Sequence, residues 1–355
     1  VTCIVDIDDA IAAGTKYGDE GVLINVLIDW RNKTPEATWD VDGIPVPINM
    51  GYVRALDDKF RRMTEAGINF TIIPVNTMGL EKDPDDPMIH PDTDPAKAPM
   101  HHGAFNVVTE RGLRCYRAAM EFLADRYTRP DGKYGLISGI VVGNEVQSHW
   151  VWHNMGEAPV EKVAREYVIA LRVAWLAAQR AHKQLRIYAS LEHNWTRAGL
   201  PFSPLKECRG DELLTLINDD ARREGNFPWH LGFHPYPENL FEPRFWDDRR
   251  ATMRFDTPKI TFKNLEVLTA FMRQEAFLYD GKPRRIILSE QGFHSPDGPE
   301  GERLQAAAYA YAYYKVSHMP EIDAFILHRH CDHPDEGGLR LGLLAFEPDD
   351  RGGWH

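Results

Sequence analysis

An α/β fold built as one (β/α)8 barrel is what this sequence predicts, on three observations. Apolar, β-type runs alternate with amphipathic helical runs along most of the chain, which is the pattern of parallel strands joined by crossover helices. Polar clusters close nearly every strand-like run: Asp6-Ile7-Asp8, Asn76, Asn144-Glu145, Glu192-His193-Asn194-Trp195, His234-Pro235-Tyr236, Glu290-Gln291 and His328-Arg329-His330. Active groups at the ends of many strands mark a barrel. Finally, no Gly-x-Gly-x-x-Gly turn follows the first strand, so the dinucleotide-binding open sheet lacks its fingerprint.

The elements follow in order. Val1–Ile7 reads as the first strand. Residues 8–51 form an irregular insertion, with an apolar run at 22–28 and a Pro-rich piece (Pro35, Pro45, Pro47) expected to make a β-hairpin over the barrel mouth. Val53, Leu56, Phe60 and Met63 recur at helical spacing over 52–66, and Gly67 stops that helix. Ile68–Val75 is a strand ending at Asn76. The Pro-, Asp- and His-rich stretch 77–109 is a second insertion, and a loop of that length in a compact enzyme is usually functional. A helix over 110–127 leads to the strand that ends at Asn144-Glu145. A long helix spans 160–182, then come a strand at 185–191, a short helix near 211–224, a strand at 230–235, a helix at 264–278, the strand ending at Glu290, a helix at 302–318 and a strand at 322–327. Seven strands are convincing, and the eighth is expected either before Val1 or from 22–28. The chain begins without Met inside an apolar run and lacks a closing helix after Phe346, so both termini read as trimmed and any export signal as missing. Residues 1–355 are expected to form one catalytic domain.

Composition narrows the function. With 43% hydrophobic and 26% charged residues the chain can bury a large core. A net charge of −12 argues against nucleic acid and anionic membrane as partners. No apolar run is long enough for a spanning helix. Cys3, Cys115, Cys208 and Cys331 contain no Cys-x-x-Cys pair, so neither a zinc ribbon nor a disulfide framework is implied.

Glu145 and Glu290 carry the chemistry. Each sits at the tip of a β-type run, Ile140–Val142 before Gly143-Asn144-Glu145 and Arg285–Ser289 before Glu290-Gln291-Gly292. Two carboxyls can divide glycosidic cleavage between them, one protonating the leaving oxygen while the other attacks or stabilises the anomeric carbon. Here the chain resembles the clan A retaining glycoside hydrolases. In that clan Asn-Glu ends the fourth strand and the nucleophile ends the seventh, and in this chain two strands separate the corresponding runs. The resemblance covers about 52–330, and the whole chain is most similar to a bacterial family of that clan described only as a domain of unknown function. It implies that Glu145 is the acid/base, Glu290 the nucleophile, and Asn144 the holder of the sugar 2-hydroxyl. His234-Pro235-Tyr236 resembles the clan's His or Tyr that touches the nucleophile.

Further sugar contacts are expected from Asn76, Trp150, His193, Trp195, His328 and Arg329, since aromatic faces stack on sugar C–H groups and polar tips read hydroxyls. An apolar wall such as Trp150 or Trp152 would raise the pKa of the acid by desolvation. Cofactors and metals are not expected: the run His328 to His333 is His-rich but lacks a zinc spacing, and the acidic loop 83–94 lacks a calcium-loop pattern. The expected partner is a carbohydrate, with no nucleic acid and no membrane insertion, and a polysaccharide substrate favours the periplasm or cell exterior. The rivals are a carbohydrate-binding pseudoenzyme on the same scaffold and a metal-dependent barrel hydrolase using the His clusters. The first strand offers that second rival Asp6-Ile7-Asp8 where such hydrolases usually place His-x-His.

Overall fold

The computed structural model describes residues 1–2, 4, 6–79, 83–198 and 203–345. The chain divides into two compact units, one of residues 21–191 and 198–230, the other of 1–20, 192–197 and 231–355.

The first unit is a parallel α/β assembly. Its strands Asn69–Thr77, Gly139–Val142 and Arg186–Glu192 lie side by side, with Thr71 opposite Gly139 and Val142 opposite Ala189. Their central residues Ile72, Ile140, Val141, Val142 and Ile187 are fully buried, as the uninterrupted apolar runs require of strands covered on both faces. Helix Met50–Glu65 turns Val53, Leu56, Phe60 and Met63 inward. Each is worth about 1.5–3 kcal/mol when fully buried. Asn49 caps the start of that helix by accepting from Tyr52 N–H, and Gly67 follows its end at φ +73°, a conformation open to Gly without strain. Helices Glu110–Arg126 and Val160–Ala181 pack together, with Tyr116 donating to the Ala170 carbonyl at 3.2 Å. The Arg126 guanidinium grips Asp57 with two bonds of 2.7 and 2.6 Å.

The hairpin expected in the first insertion exists, as Ala37–Val41 paired antiparallel with Ile44–Ile48. It packs on helix Glu110–Arg126: the Trp39 indole N–H donates to Glu121 and its ring meets Phe122 edge-on. Residues 22–28 are not one strand either. Strand Tyr17–Leu23 ends there and a helical turn, Ile24–Leu27, follows.

The second unit repeats the parallel design. Ile286–Gln291 lies between Trp229–His234 and Ile322–Leu327, with Ile286 opposite both Leu231 and Ile322. Thr2 extends this set, its N–H donating to the Leu327 carbonyl and its backbone bridging to Asp19 in parallel. Val1–Ile7 is nonetheless not a seven-residue strand. Asp6 accepts from the N–H groups of Asp8 and Asp9, which makes it the N-cap of a helix at Ile7–Ala12 with two acids in its first turn. A cluster of Asp at a strand tip and one at a helix start look alike in sequence. Helix Pro299–Val316 begins with Pro at its first position. Gln305 on that helix ties down the tail by donating to the carbonyls of Phe293, Arg340 and Gly342. Cys3 and the tail beyond Ala345 lie outside the described residues. Among the described residues no helix is long and apolar enough to cross a membrane.

Candidate active site

Glu290 is the penultimate residue of strand Ile286–Gln291, half-buried at its carboxyl end. The Tyr236 hydroxyl donates to its Oε1 at 2.8 Å. Tyr236 follows strand Trp229–His234 by two residues, and Pro235 between them holds the chain extended. His234 is fully buried and shares a 3.1 Å hydrogen bond with Ser289, the neighbour of Glu290. Burial is the largest influence on Glu290 and works against its charge. The electrostatic influence of His328 and His234 and the hydrogen bond from the Tyr236 hydroxyl together outweigh it and hold the carboxylate below its ordinary range. Glu290 is therefore an anion at neutral pH, accepting a hydrogen bond.

His328 and Arg329 leave the end of strand Ile322–Leu327 through a cis peptide bond. The two nitrogens of His328 are engaged by the Thr2 hydroxyl and, at 3.1 Å, by Glu336. Arg329 meets the same Glu336 oxygen at 3.2 Å. Burial lowers the pKa of His328, but the charges of Glu290 and Glu336 and the bond to Glu336 outweigh it and raise it. The hydrogen bond from His328 brings Glu336 down to about 2. Glu290, His328, Glu336 and Arg329 thus form one electrostatically coupled string. Glu336 was not anticipated. Its only trace in sequence is a carboxylate before the flexible pair Gly337-Gly338.

His193 and Lys259 form the next layer. The Lys259 ammonium donates to His193 Nε2 at 2.6 Å, and His193 Nδ1–H donates to the Tyr236 carbonyl at 3.1 Å. Burial, with the charge of Lys259, brings His193 down to about 3, so the ring is neutral. Both ring nitrogens are occupied by protein, so His193 braces the Tyr236 backbone. Trp195 is a correction. Its side chain is 0% exposed, its N–H is taken by the Phe255 carbonyl and its ring packs edge-on against Phe271, leaving no face for a sugar.

In the other unit, Glu145 follows strand Gly139–Val142 in a left-handed turn, at φ +40°. Gly143 just before it lies at φ +74°. A non-Gly residue with positive φ is held there only by its surroundings, and the surroundings are explicit. Glu145 N–H donates to Ser190 Oγ at 2.9 Å, Ser190 N–H donates to the Tyr167 hydroxyl at 2.9 Å, and that hydroxyl donates to the Val142 carbonyl. Strand, helix and turn are locked through one phenol. Asn144 and Glu145 are both half-buried. Trp150 is turned into the protein beneath the Lys206 ammonium, which lies 4.2 Å from its ring. His149 and His153, which follow the turn, are brought by burial down to about 4 and about 3, and stay neutral. Asn76 is a second correction. It is buried, and its side-chain amide donates to the Met88 carbonyl at 2.7 Å, so it anchors the 77–109 loop where a sugar contact was expected.

Gly292 shows how closely the site is packed. A Cβ there would sit 2.3 Å from the His328 carbonyl oxygen. Gly292→Ala is therefore expected to displace the His328–Arg329 segment, lowering stability by about 1–3 kcal/mol and weakening the hold on Glu290. Thermal unfolding and crystallography of the variant check both effects.

Solved structures share this fold. Over 98% of this chain and 84% of the other, it is similar to the monomer of a hyperthermophilic β-glucosidase mutant, at 14% identity and a TM-score of 0.55. A family 39 glycoside hydrolase from Bacteroides cellulosilyticus WH2 matches 95% of this chain with 56% of its own, at 15% identity and a TM-score of 0.57. A family 1 β-glucosidase from Thermotoga maritima matches 96% with 80%, at 11% identity and a TM-score of 0.57. The resemblance to clan A glycoside hydrolases read from the strand count thus extends to the fold. A sequence search of curated proteins finds no match. The profile of one family, described as a family of unknown function, matches residues 4–355, and the chain belongs to that family, DUF5722.

Proposed function

We propose that this protein is a retaining glycoside hydrolase on a closed (β/α)8 barrel, with Glu290 as nucleophile and Glu145 as acid/base. One observation carries the reading: Glu290, at a strand end in a fold shared with β-glucosidases, is kept ionised by Tyr236, His234 and His328. An anionic carboxylate touched by a phenol suits attack on an anomeric carbon. Glu145 protonates the leaving oxygen, then activates the water that releases the sugar from Glu290. Asn144, beside Glu145, reads a hydroxyl of the same sugar. The substrate is a poly- or oligosaccharide, which favours the periplasm or cell exterior as the working compartment.

The test is a panel of aryl glycosides and polysaccharides against wild type, Glu145→Gln and Glu290→Gln. Cleavage of at least one substrate by wild type, with loss in both variants and indifference to chelators, supports the reading. Undiminished activity in either variant contradicts the assignment of that residue.

Tyr236→Phe gives a finer prediction. A hydrogen bond to a charged group contributes about 1.5–3 kcal/mol, so kcat/KM should fall by roughly 10- to 100-fold. The sign of the pH effect is fixed as well. Glu290 is depressed in the folded enzyme and the phenol contributes to that depression, so removing it raises the Glu290 pKa and moves the acid limb of the kcat/KM profile to higher pH. An unmoved acid limb would show that Tyr236 does not act on the nucleophile.

A further inference from the structure

The first unit holds a polar cleft of about 460 Å³ that no residue of the proposed chemistry lines. It opens at the carboxyl ends of strands Tyr17–Leu23 and Asn69–Thr77, the end at which parallel α/β folds present ligands. Its size lies within the range of small-ligand sites. The floor is rigid. Asn25 and Thr77 clasp each other, with the Asn25 amide donating to the Thr77 carbonyl at 2.6 Å and accepting from Thr77 N–H at 3.2 Å. Asn49, also in the lining, spans from the Val26 carbonyl to the N–H of Tyr52. These groups are spent on shape. A floor fixed in this way lowers the ordering cost of binding.

The walls supply the recognition. Trp30 is half-buried on the cleft, and Asp29 beside it has one carboxylate oxygen accepting from Asn32 at 2.9 Å. The guanidinium carbons of Arg31 and Arg111 lie 4.8 and 5.1 Å from the Trp30 ring centroid. Two positive groups on the indole disfavour a cationic ligand. Asp29, Asp83 and Asp86 all line the cleft against Arg31, which pairs with Asp83, so the lining disfavours an anion as well. A neutral ligand is what remains, and on the glycosidase reading it is a sugar. An aromatic surface beside a carboxylate meets a sugar's C–H face and its adjacent hydroxyls together.

We propose that this cleft is a binding subsite for a neutral sugar residue of an oligosaccharide, with Trp30 and Asp29 as its contacts. The choice of ligand class rests on the glycosidase reading.

Isothermal titration of the full chain carrying Glu290→Gln, with neutral cello-, xylo-, laminari- and manno-oligosaccharides of two to six units, tests it. In that background Trp30→Ala should weaken binding of the best oligosaccharide at least tenfold, Trp30→Phe distinctly less, and Asp29→Asn several-fold. Melting temperatures identify any variant that fails to fold, and Asp29→Asn then carries the test. Affinity within twofold of the parent for both Trp30→Ala and Asp29→Asn overturns the proposal. So does an absence of binding by every neutral oligosaccharide, or tighter binding of oligogalacturonate than of any neutral series. The two readings fail separately. If Glu290→Gln still cleaves while Trp30→Ala loses affinity, the catalytic assignment falls and the subsite stands. If Glu290→Gln is inactive and Trp30→Ala binds normally, only the subsite falls.

Discussion

Glu290→Gln should lower kcat/KM by a factor on the order of 10⁴ to 10⁶, the scale of losing a nucleophile that works with other groups as a unit. The amide is nearly the same size, so the fold should survive, but it cannot form the glycosyl ester. The Tyr236 hydroxyl can still donate to the amide oxygen, while His328 and His234 lose the anion they face. A secondary effect follows with a definite sign. The pKa of His328 is raised in part by Glu290, so it should drop in the variant, and an NMR titration of the imidazole would show this. Such a group stabilises the fold below its unfolded pKa, and that stability is lost as pH rises through the folded value. Removing Glu290 should therefore narrow the range of pH over which His328 contributes. If cleavage persists at wild-type rate, Glu290 is not the nucleophile.

Glu145→Gln should have the second largest effect, of another kind. A general acid contributes about 10²- to 10⁴-fold, and only where the leaving group needs the proton. Oligosaccharides and alkyl glycosides should lose that full factor. Aryl glycosides with strongly acidic phenols should keep most of their rate in the first step, then stall at deglycosylation because no base activates water. Azide should rescue this variant and give a glycosyl azide of retained configuration. Azide rescue of a Glu290 variant would give the inverted product. The bond from the Glu145 backbone N–H to Ser190 Oγ, which helps hold the turn, is kept in the variant.

The parts of this molecule that were legible in sequence are those where one residue type has one physical reason. The uninterrupted β-branched run Ile140–Val142 suits a strand buried on both faces, and the helical spacing of Val53, Leu56, Phe60 and Met63 names the inner face of Met50–Glu65. Carboxylates at two such strand tips were visible for the same reason. What stayed hidden is where one residue type serves two ends. Asp6 reads equally as a strand-tip acid or a helix cap, and only its bonds to Asp8 and Asp9 decide. Trp195 reads as a sugar platform until its N–H is seen bonded to Phe255. Asn76 reads as a strand-tip ligand until it is seen holding Met88. Lys259 and Thr2 reach the site from residues far along the chain from their partners, so no local pattern could announce them.

The covalent role of Glu290 is the core of the proposed mechanism. Once the panel identifies the sugar, the measurement to make is incubation with its 2-deoxy-2-fluoro glycoside bearing a dinitrophenolate leaving group, followed by intact-mass and peptide mass spectrometry. The expected result is one equivalent of label, carried by Glu290 in the peptide spanning strand Ile286–Gln291, and no label on Glu290→Gln. Label on another residue, or turnover of the natural sugar with inversion and no covalent species, would contradict it.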